Sequence, residues 1–241
     1  MATSLLSCSP AAKQISKKVV CLLFDISGST NNLSARQAYV YNLKTVLSKL
    51  EPGDRLIIGY INANSQAALT PPVNIELPDY NVSWFDNPEL AKRKKTKVLR
   101  EIADTLRFVE AKVDSTIEKG RNVADWTDIL GSLTLTQRLF ENYPSTRKIL
   151  LINSDMIEDA AGYNFERVNL SRDGISQIIN DVMNRDLMPR LTGVRVYVAG
   201  ASAATAARYI EIKNFWLEYF HYAGAQCSDT TYGSALVRFE E

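Results

Sequence analysis

Four short apolar runs, strand-length rather than helix-length, constrain this chain more than any other feature. They are V-V-C-L-L-F at 19–24, L-I-I-G-Y-I within 55–61, I-L-L-I within 148–153 and V-R-V-Y-V-A at 194–199. Hydrophobicity that is continuous rather than alternating marks strands covered on both faces, as in a parallel sheet. Between the runs, apolar residues recur at the three- and four-residue spacing of amphipathic helices. Tyr39, Leu43, Val46, Leu47 and Leu50 mark a helix from about 33 to 50, stopped by Pro52-Gly53. Val98, Ile102, Leu106, Val109 and Val113 mark a long helix opening at Pro88 and ending at Gly120. Further helices are predicted at about 127–142, 174–184 and 206–223. A weak strand within 66–77, interrupted by Pro71-Pro72, suits a sheet edge, and 235–239 is a candidate last strand. Alternation of strands and helices over the whole length predicts an α/β fold. Its central sheet would be doubly wound and mostly parallel, with one antiparallel edge strand and helices on both faces. Residues 1–18 are expected to be a flexible N-terminal segment and 19–241 a single domain.

Composition narrows the function classes. The formal net charge is +1, from 28 basic and 27 acidic residues, so no whole-molecule field for nucleic acid exists and none is expected as a partner. Three cysteines without a CxxC pair, and His221 as the sole histidine, exclude a zinc cluster and a histidine-based triad. Cys21, inside the first apolar run, reads as a small buried hydrophobe. No apolar run is long enough to span a bilayer. L-L-S-C at 5–8 resembles the lipobox of bacterial lipoproteins, but Met1 to Ser7 lacks a basic n-region and a full apolar stretch. Two readings stay open. The chain is cytoplasmic with an ordinary short leader, or its true start lies upstream of Met1 and Cys8 anchors it to a membrane.

The residues that carry chemistry fall where the predicted parallel strands end, which is where open α/β sheets hold their ligands. Asp25, Ser27 and Ser29 form D-I-S-G-S directly after the first run, with Gly28 easing the turn between the serines. Thr127-Asp128 opens a helix, and Asp155 follows the run that ends in Ile152-Asn153-Ser154. Two carboxylates and three hydroxyls are hard, all-oxygen ligands. They suit Mg²⁺, with Mn²⁺ or Ca²⁺ as alternatives, and disfavour zinc or copper. The competing explanation is helix capping, by Asp25 or Ser29 for the first helix and by Thr127 or Asp128 for the third.

D-x-S-x-S after the first strand, a threonine in a second loop and an aspartate after a later strand resemble the metal-ion-dependent adhesion site of von Willebrand factor A and integrin I domains. The resemblance spans nearly the whole chain and implies that family's Rossmann-like fold. It further implies Ser27 and Ser29 as direct ligands, Thr127 as a direct or water-mediated one, and Asp25 and Asp155 as anchors acting through water. Trp126 stands where the family has a glycine, and Ser154-Asp155-Met156 stands for its T-D-G. Neither change removes a ligand atom. By resemblance the chain is a non-catalytic protein-interaction module whose cation receives an Asp or Glu carboxylate from a partner, either as a monomer or within a hetero-complex. The reading in another class is a metal-dependent hydrolase or phosphotransferase. Against it, the D-x-S start lacks the second aspartate of haloacid dehalogenases, no Walker motif is present, and no general base adjoins the serines.

Other features read more plainly. The basic stretch Lys92, Arg93, Lys94, Lys95, Lys97 and Arg100 is first a solvated helix face, and second a surface for an acidic protein, phosphate or anionic membrane. Trp84 and Phe85 are expected first to cover the sheet edge and second to form a contact surface, and Phe215, Trp216, Tyr219 and Phe220 to be core. Glu158 and Asp159 either tune the charge near Asp155 or stay solvated.

Overall fold

Each apolar run is a strand. The computed structural model describes residues 17–30, 32–63, 65, 70–119, 126–160 and 162–240. In chain order the elements are β1 (Lys18–Asp25), α1 (Leu33–Leu47), β2 (Arg55–Ile61), β3 (Val73–Glu76), α2 (Pro88–Lys119), α3 (Ile129–Glu141), β4 (Arg147–Asn153), α4 (Arg172–Asn184), β5 (Arg195–Ala199) and α5 (Ala206–Tyr222). The sheet order is β3-β2-β1-β4-β5. All neighbours run parallel except β3, which lies antiparallel on the edge of β2. The chain builds outward from β1 through β2 to β3, then crosses back to β4 on the other side. β1 is therefore the switch point, and the loops leaving β1 and β4 diverge to make a crevice at the carboxyl end of the sheet.

All eight residues of β1 are buried, and their alternation feeds two cores. Val19, Cys21 and Leu23 pack with residues of α3, α4 and α5, including Leu133, Ile179 and Trp216. Val20, Leu22 and Phe24 pack with α1 and α2 through Tyr39, Leu43, Val109 and Val113. The aromatic group Phe215, Trp216, Tyr219 and Phe220 is fully buried, as its spacing predicted. No described helix is long and apolar enough to cross a membrane. Cys8 and the remainder of residues 1–16 lie outside the described residues.

Two expectations fail. Residues 235–239 form no strand; Arg238 and Glu240 take φ of 55°, which extended backbone cannot accommodate. The edge of β5 is met instead by Gln226 and Tyr232, through isolated parallel bridges to Arg195 and Val198. Trp84 and Phe85 do not cover the sheet edge either. They are 86% and 78% exposed and stack on each other at 3.8 Å.

At the amino end of β1 the Lys18 ammonium is buried, donating to Lys49 O at 2.7 Å and to the Glu240 carboxylate. Asp54 lies 3.6 Å away, with 2% of its side chain exposed. Glu240 follows the last turn of the described chain, so this cation pins the C-terminal segment against the first strand. Removing Lys18 would leave Asp54 without its cation and Glu240 with Arg147 alone, and breaking a buried pair costs roughly 3–5 kcal/mol. Lys18→Met is expected to lose about 3 kcal/mol in urea unfolding, and Lys18→Met with Asp54→Asn to lose less.

Candidate metal centre

The crevice is organised by Asp25, the last residue of β1, which is only 1% exposed. One carboxylate oxygen accepts the Ser27 N–H at 2.9 Å, and the other accepts the Ser154 hydroxyl at 2.6 Å. This folds the following loop back over the strand end. Thr30 closes the turn, its hydroxyl lying 2.9 Å from Asp25 O and 3.1 Å from Ser27 O. The Ser27 and Ser29 hydroxyls come to 3.2 Å of each other, with Ser27 buried and Ser29 exposed. Ser29 and Asp155 line the same cleft, and the Asp155 carboxylate accepts the Ile157 N–H at 3.0 Å.

Two acids thus face one spot. Burial, and then the nearby charge of Asp155, push the Asp25 carboxyl up from 3.8 to about 6, despite its bonds from Ser154 and Ser27. Burial also raises Asp155. An arrangement that holds two ionised carboxylates together out of water is short of a positive charge.

The second loop arrives by backbone bonds. Asp128 N donates to Asn62 O, just past β2, and Thr127 O accepts from Asp159 N, just past β4, each at 3.0 Å. Since β1 lies between β2 and β4, this bridge carries the buried Thr127 across the end of β1. Among the described residues the Thr127 side chain makes no hydrogen bond to the other four. Asp25, Ser27 and Ser29 are therefore joined directly with Asp155 beside them, while Thr127 is brought to the crevice by its neighbours.

The capping explanation does not account for these side chains. Asn32 caps α1, its Oδ1 accepting the Ala35 N–H at 2.9 Å. Asp128 caps α3, accepting Gly131 N at 2.8 Å and, with its other oxygen, Ser65 N at 2.9 Å. Asp25, Ser27, Ser29 and Thr127 remain free of capping duty.

Glu158 was legible only as a charge near the site. It is fully buried, so the solvated reading is wrong. Its Oε2 accepts Ile129 N at 2.9 Å and Leu130 N at 3.0 Å, and its Oε1 accepts Ala160 N at 3.1 Å. Burial, with a contribution from Asp128, holds this carboxyl well above its ordinary range. Glu158 and Asp128 together satisfy the first N–H groups of α3 and fix the loop that carries Thr127. Met156, which replaces the glycine expected by resemblance, keeps a left-handed φ of 68°. That conformation costs a non-glycine residue roughly 1 kcal/mol. It persists because the Met156 N–H donates to Ser154 Oγ at 2.9 Å and its carbonyl accepts the Trp216 indole N–H at 2.8 Å.

The donor set fits a hard divalent cation. Ligand oxygens about 2.1 Å from Mg²⁺ and at right angles lie about 3.0 Å apart, and those of Ca²⁺ about 3.4 Å. The Ser27–Ser29 separation of 3.2 Å admits either ion. Among the described residues no three of His, Cys, Asp and Glu form a metal-binding group. Two carboxylates supplemented by neutral hydroxyls suit a hard ion rather than zinc on ligand chemistry alone.

The sequence matches no protein-family model and no curated protein. Its structure is similar to a von Willebrand factor type A protein from Catenulispora acidiphila, with 11% identity, a TM-score of 0.39, and coverage of 87% of this chain and 42% of that one. It is also similar to an aerotolerance-related membrane protein from Bacteroides fragilis carrying multiple mutations to serines. There the identity is 9%, the TM-score 0.41, and the coverage 88% of this chain and 92% of that one. The open conformation of the pilus adhesin SpaC from Lactobacillus rhamnosus GG matches at 9% identity and a TM-score of 0.44, covering 90% of this chain and 28% of that one. This chain thus spans less than half of the Catenulispora protein and of the adhesin. Strand order, the antiparallel edge β3 and helices on both faces make the fold von Willebrand factor A-like.

The folded chain holds the Asp25 proton more tightly than the unfolded one. Its contribution to stability is full below 3.8 and is lost as pH rises to about 6. Asp25→Asn is therefore expected, in EDTA near neutral pH, to be more stable than wild type by on the order of 2 kcal/mol. Magnesium should raise the wild-type melting temperature and leave that of the variant unchanged; a variant less stable than wild type in EDTA would contradict this. At the helix start, a Cβ on Gly131 would stand 2.2 Å from Asp128 Oδ2. Gly131→Ala should displace the cap and cost about 1–2 kcal/mol in urea unfolding.

Proposed function

We propose that this chain is a non-catalytic interaction module that holds a divalent cation, Mg²⁺ in the first instance, at the carboxyl end of its sheet and uses it to bind an acidic side chain of a protein partner. One observation carries the reading. Two neutral hydroxyls, Ser27 and Ser29, lie 3.2 Å apart beside two carboxylates, Asp25 and Asp155, and burial, then the charge of Asp155, raises Asp25. Ser27 and Ser29 would ligate the ion directly, Thr127 would approach from the bridge between β2 and β4, and Asp25 and Asp155 would supply negative charge from behind. When bound, the ion supplies a positive charge left partly unneutralised by hydroxyl ligands, which a partner carboxylate can complete.

The surface around the cluster suits a side chain from outside. A cleft of 220 Å³ adjoins it, lined by Ser29, Asn32, Tyr39, Asp155, Gly200 and Ser234. An enzyme reading finds less support. The Ser27 and Ser29 hydroxyls face each other rather than a histidine or lysine. His221 belongs to the last turn of α5, and α5 runs from the carboxyl end of β5 back toward the opposite end of the sheet.

The test is calorimetric titration of Mg²⁺, Mn²⁺ and Ca²⁺ into the wild type and into Ser27→Ala/Ser29→Ala, followed by capture of partners in Mg²⁺ or EDTA. Saturable Mg²⁺ binding lost in the double variant is expected, as are partners released by EDTA and by Glu→Gln or Asp→Asn changes in the partner. Equal cation binding by both proteins would remove the site. Partners indifferent to EDTA would remove its use.

A further inference from the structure

At the opposite end of the molecule, α2 outruns the sheet it packs on. At 1.5 Å per residue its 32 residues extend about 48 Å. Its buried face starts only at Val98, which packs with Leu77 beside the end of β3. Because β3 is antiparallel, that end lies at the amino edge of the parallel strands, where Leu77 N donates to Asp54 O at 2.8 Å. Residues 88–97 therefore overhang the core by about 15 Å. The preceding loop travels with them. Asp86 accepts from Lys94 Nζ at 2.8 Å, and Lys95 Nζ lies 5.8 Å from the Tyr80 ring centroid. The protrusion so formed carries the stacked, exposed Trp84 and Phe85, with Leu90 42% exposed in the first helical turn.

The same protrusion concentrates positive charge. Lys92, Arg93, Lys94, Lys95, Lys97 and Arg100 fall within nine residues that contain no acid, in a chain whose formal net charge is only +1. Arg93, Lys94 and Lys97 pair with Glu89, Asp86 and Glu101. Among the described residues, Lys92, Lys95 and Arg100 have no carboxylate partner. An acidic protein would satisfy the cations but give no reason to expose a tryptophan and a phenylalanine at the tip. An anionic bilayer surface accounts for both, since aromatic rings partition into the headgroup region while lysine and arginine meet lipid phosphates.

We infer that the Trp84–Phe85 tip and the overhanging start of α2 form a peripheral docking surface for anionic phospholipid membranes. The test is co-sedimentation with vesicles of phosphatidylcholine alone and of phosphatidylcholine mixed with phosphatidylglycerol. Wild type is expected to sediment with the mixed vesicles, less so as salt rises, and far less with phosphatidylcholine alone. Lys92→Gln/Lys95→Gln/Arg100→Gln should weaken partitioning about a hundredfold. Trp84→Ala/Phe85→Ala should weaken it about tenfold. All five side chains are exposed, and unchanged thermal melting confirms that both variants fold. Brominated lipid should quench wild-type tryptophan fluorescence and spare Trp84→Leu. Failure of wild type to sediment with mixed vesicles overturns the inference, as does wild-type binding by both variants. Binding to polyglutamate but not to vesicles overturns it in favour of an acidic protein.

Discussion

Burial of the Asp25 carboxylate at the end of the central strand is the constraint on which the rest of the crevice depends. A carboxylate with 1% exposure needs donors, and the chain provides them from two directions, Ser27 N–H from its own loop and Ser154 Oγ from the loop after β4. Those same two bonds bring Ser27 and Ser29 over the strand end and draw Asp155 alongside. Hydrogen bonds alone do not neutralise the site, because Asp25 still titrates near 6 with Asp155 beside it. The local structure is thus deficient in charge, and the proposed divalent cation would relieve that more fully than a proton.

A second buried acid does the complementary work on the other loop. Glu158 leaves the β4 loop only three residues after Asp155 and ends against the first N–H groups of α3. Among the described residues it has no cation partner, and the N–H groups it accepts from offset only part of what burial costs its charged form. Asp128 adds a bond to Ser65, beyond β2, so the start of α3 is tied to both neighbours of β1 at once. Thr127 sits directly before this knot. Its placement therefore depends on packing around α3 more than on any bond of its own, and a shift of α3 would move Thr127 while leaving the two serines in place.

The fold was legible because burial on both faces writes itself into composition: V-V-C-L-L-F and I-L-L-I could only be inner parallel strands. Proline at 71–72 likewise marked β3 as an edge. D-I-S-G-S stood out as a candidate site because a small, hydroxyl-rich loop after such a strand offers little to pack. Glu158 was not, since its partners lie about thirty residues earlier in the chain. Next to Asp159 it looks like any surface charge, and only the tertiary arrival of α3 buries it. Ser154 was hidden for the same reason, its bond to Asp25 linking positions 129 apart. Trp84 and Phe85 misled in the opposite direction. Hydrophobicity argues for cover, but they sit on a protrusion with nothing for them to cover. At the C-terminus, the pattern of 235–239 suited a strand while backbone conformation at Arg238 forbade one.

The two proposed surfaces stand at opposite ends of the sheet, and the strand directions require it. Parallel strands put the ends of β1, β2 and β4 on one side, with the proposed cation site above them. The antiparallel β3 returns the chain to the other side before α2 begins, and so delivers Trp84, Phe85 and the lysines there. A chain seated on a bilayer by that protrusion would hold Ser27, Ser29 and Asp155 away from the lipid, facing a partner. The separation also matters electrostatically. Anionic headgroups near the cation site would compete with a partner carboxylate for the same ion, and beyond a Debye length of about 8–10 Å that competition is screened. With the core and the packed turns of α2 lying between, the two proposed kinds of recognition could operate together, each governed by its own ligand.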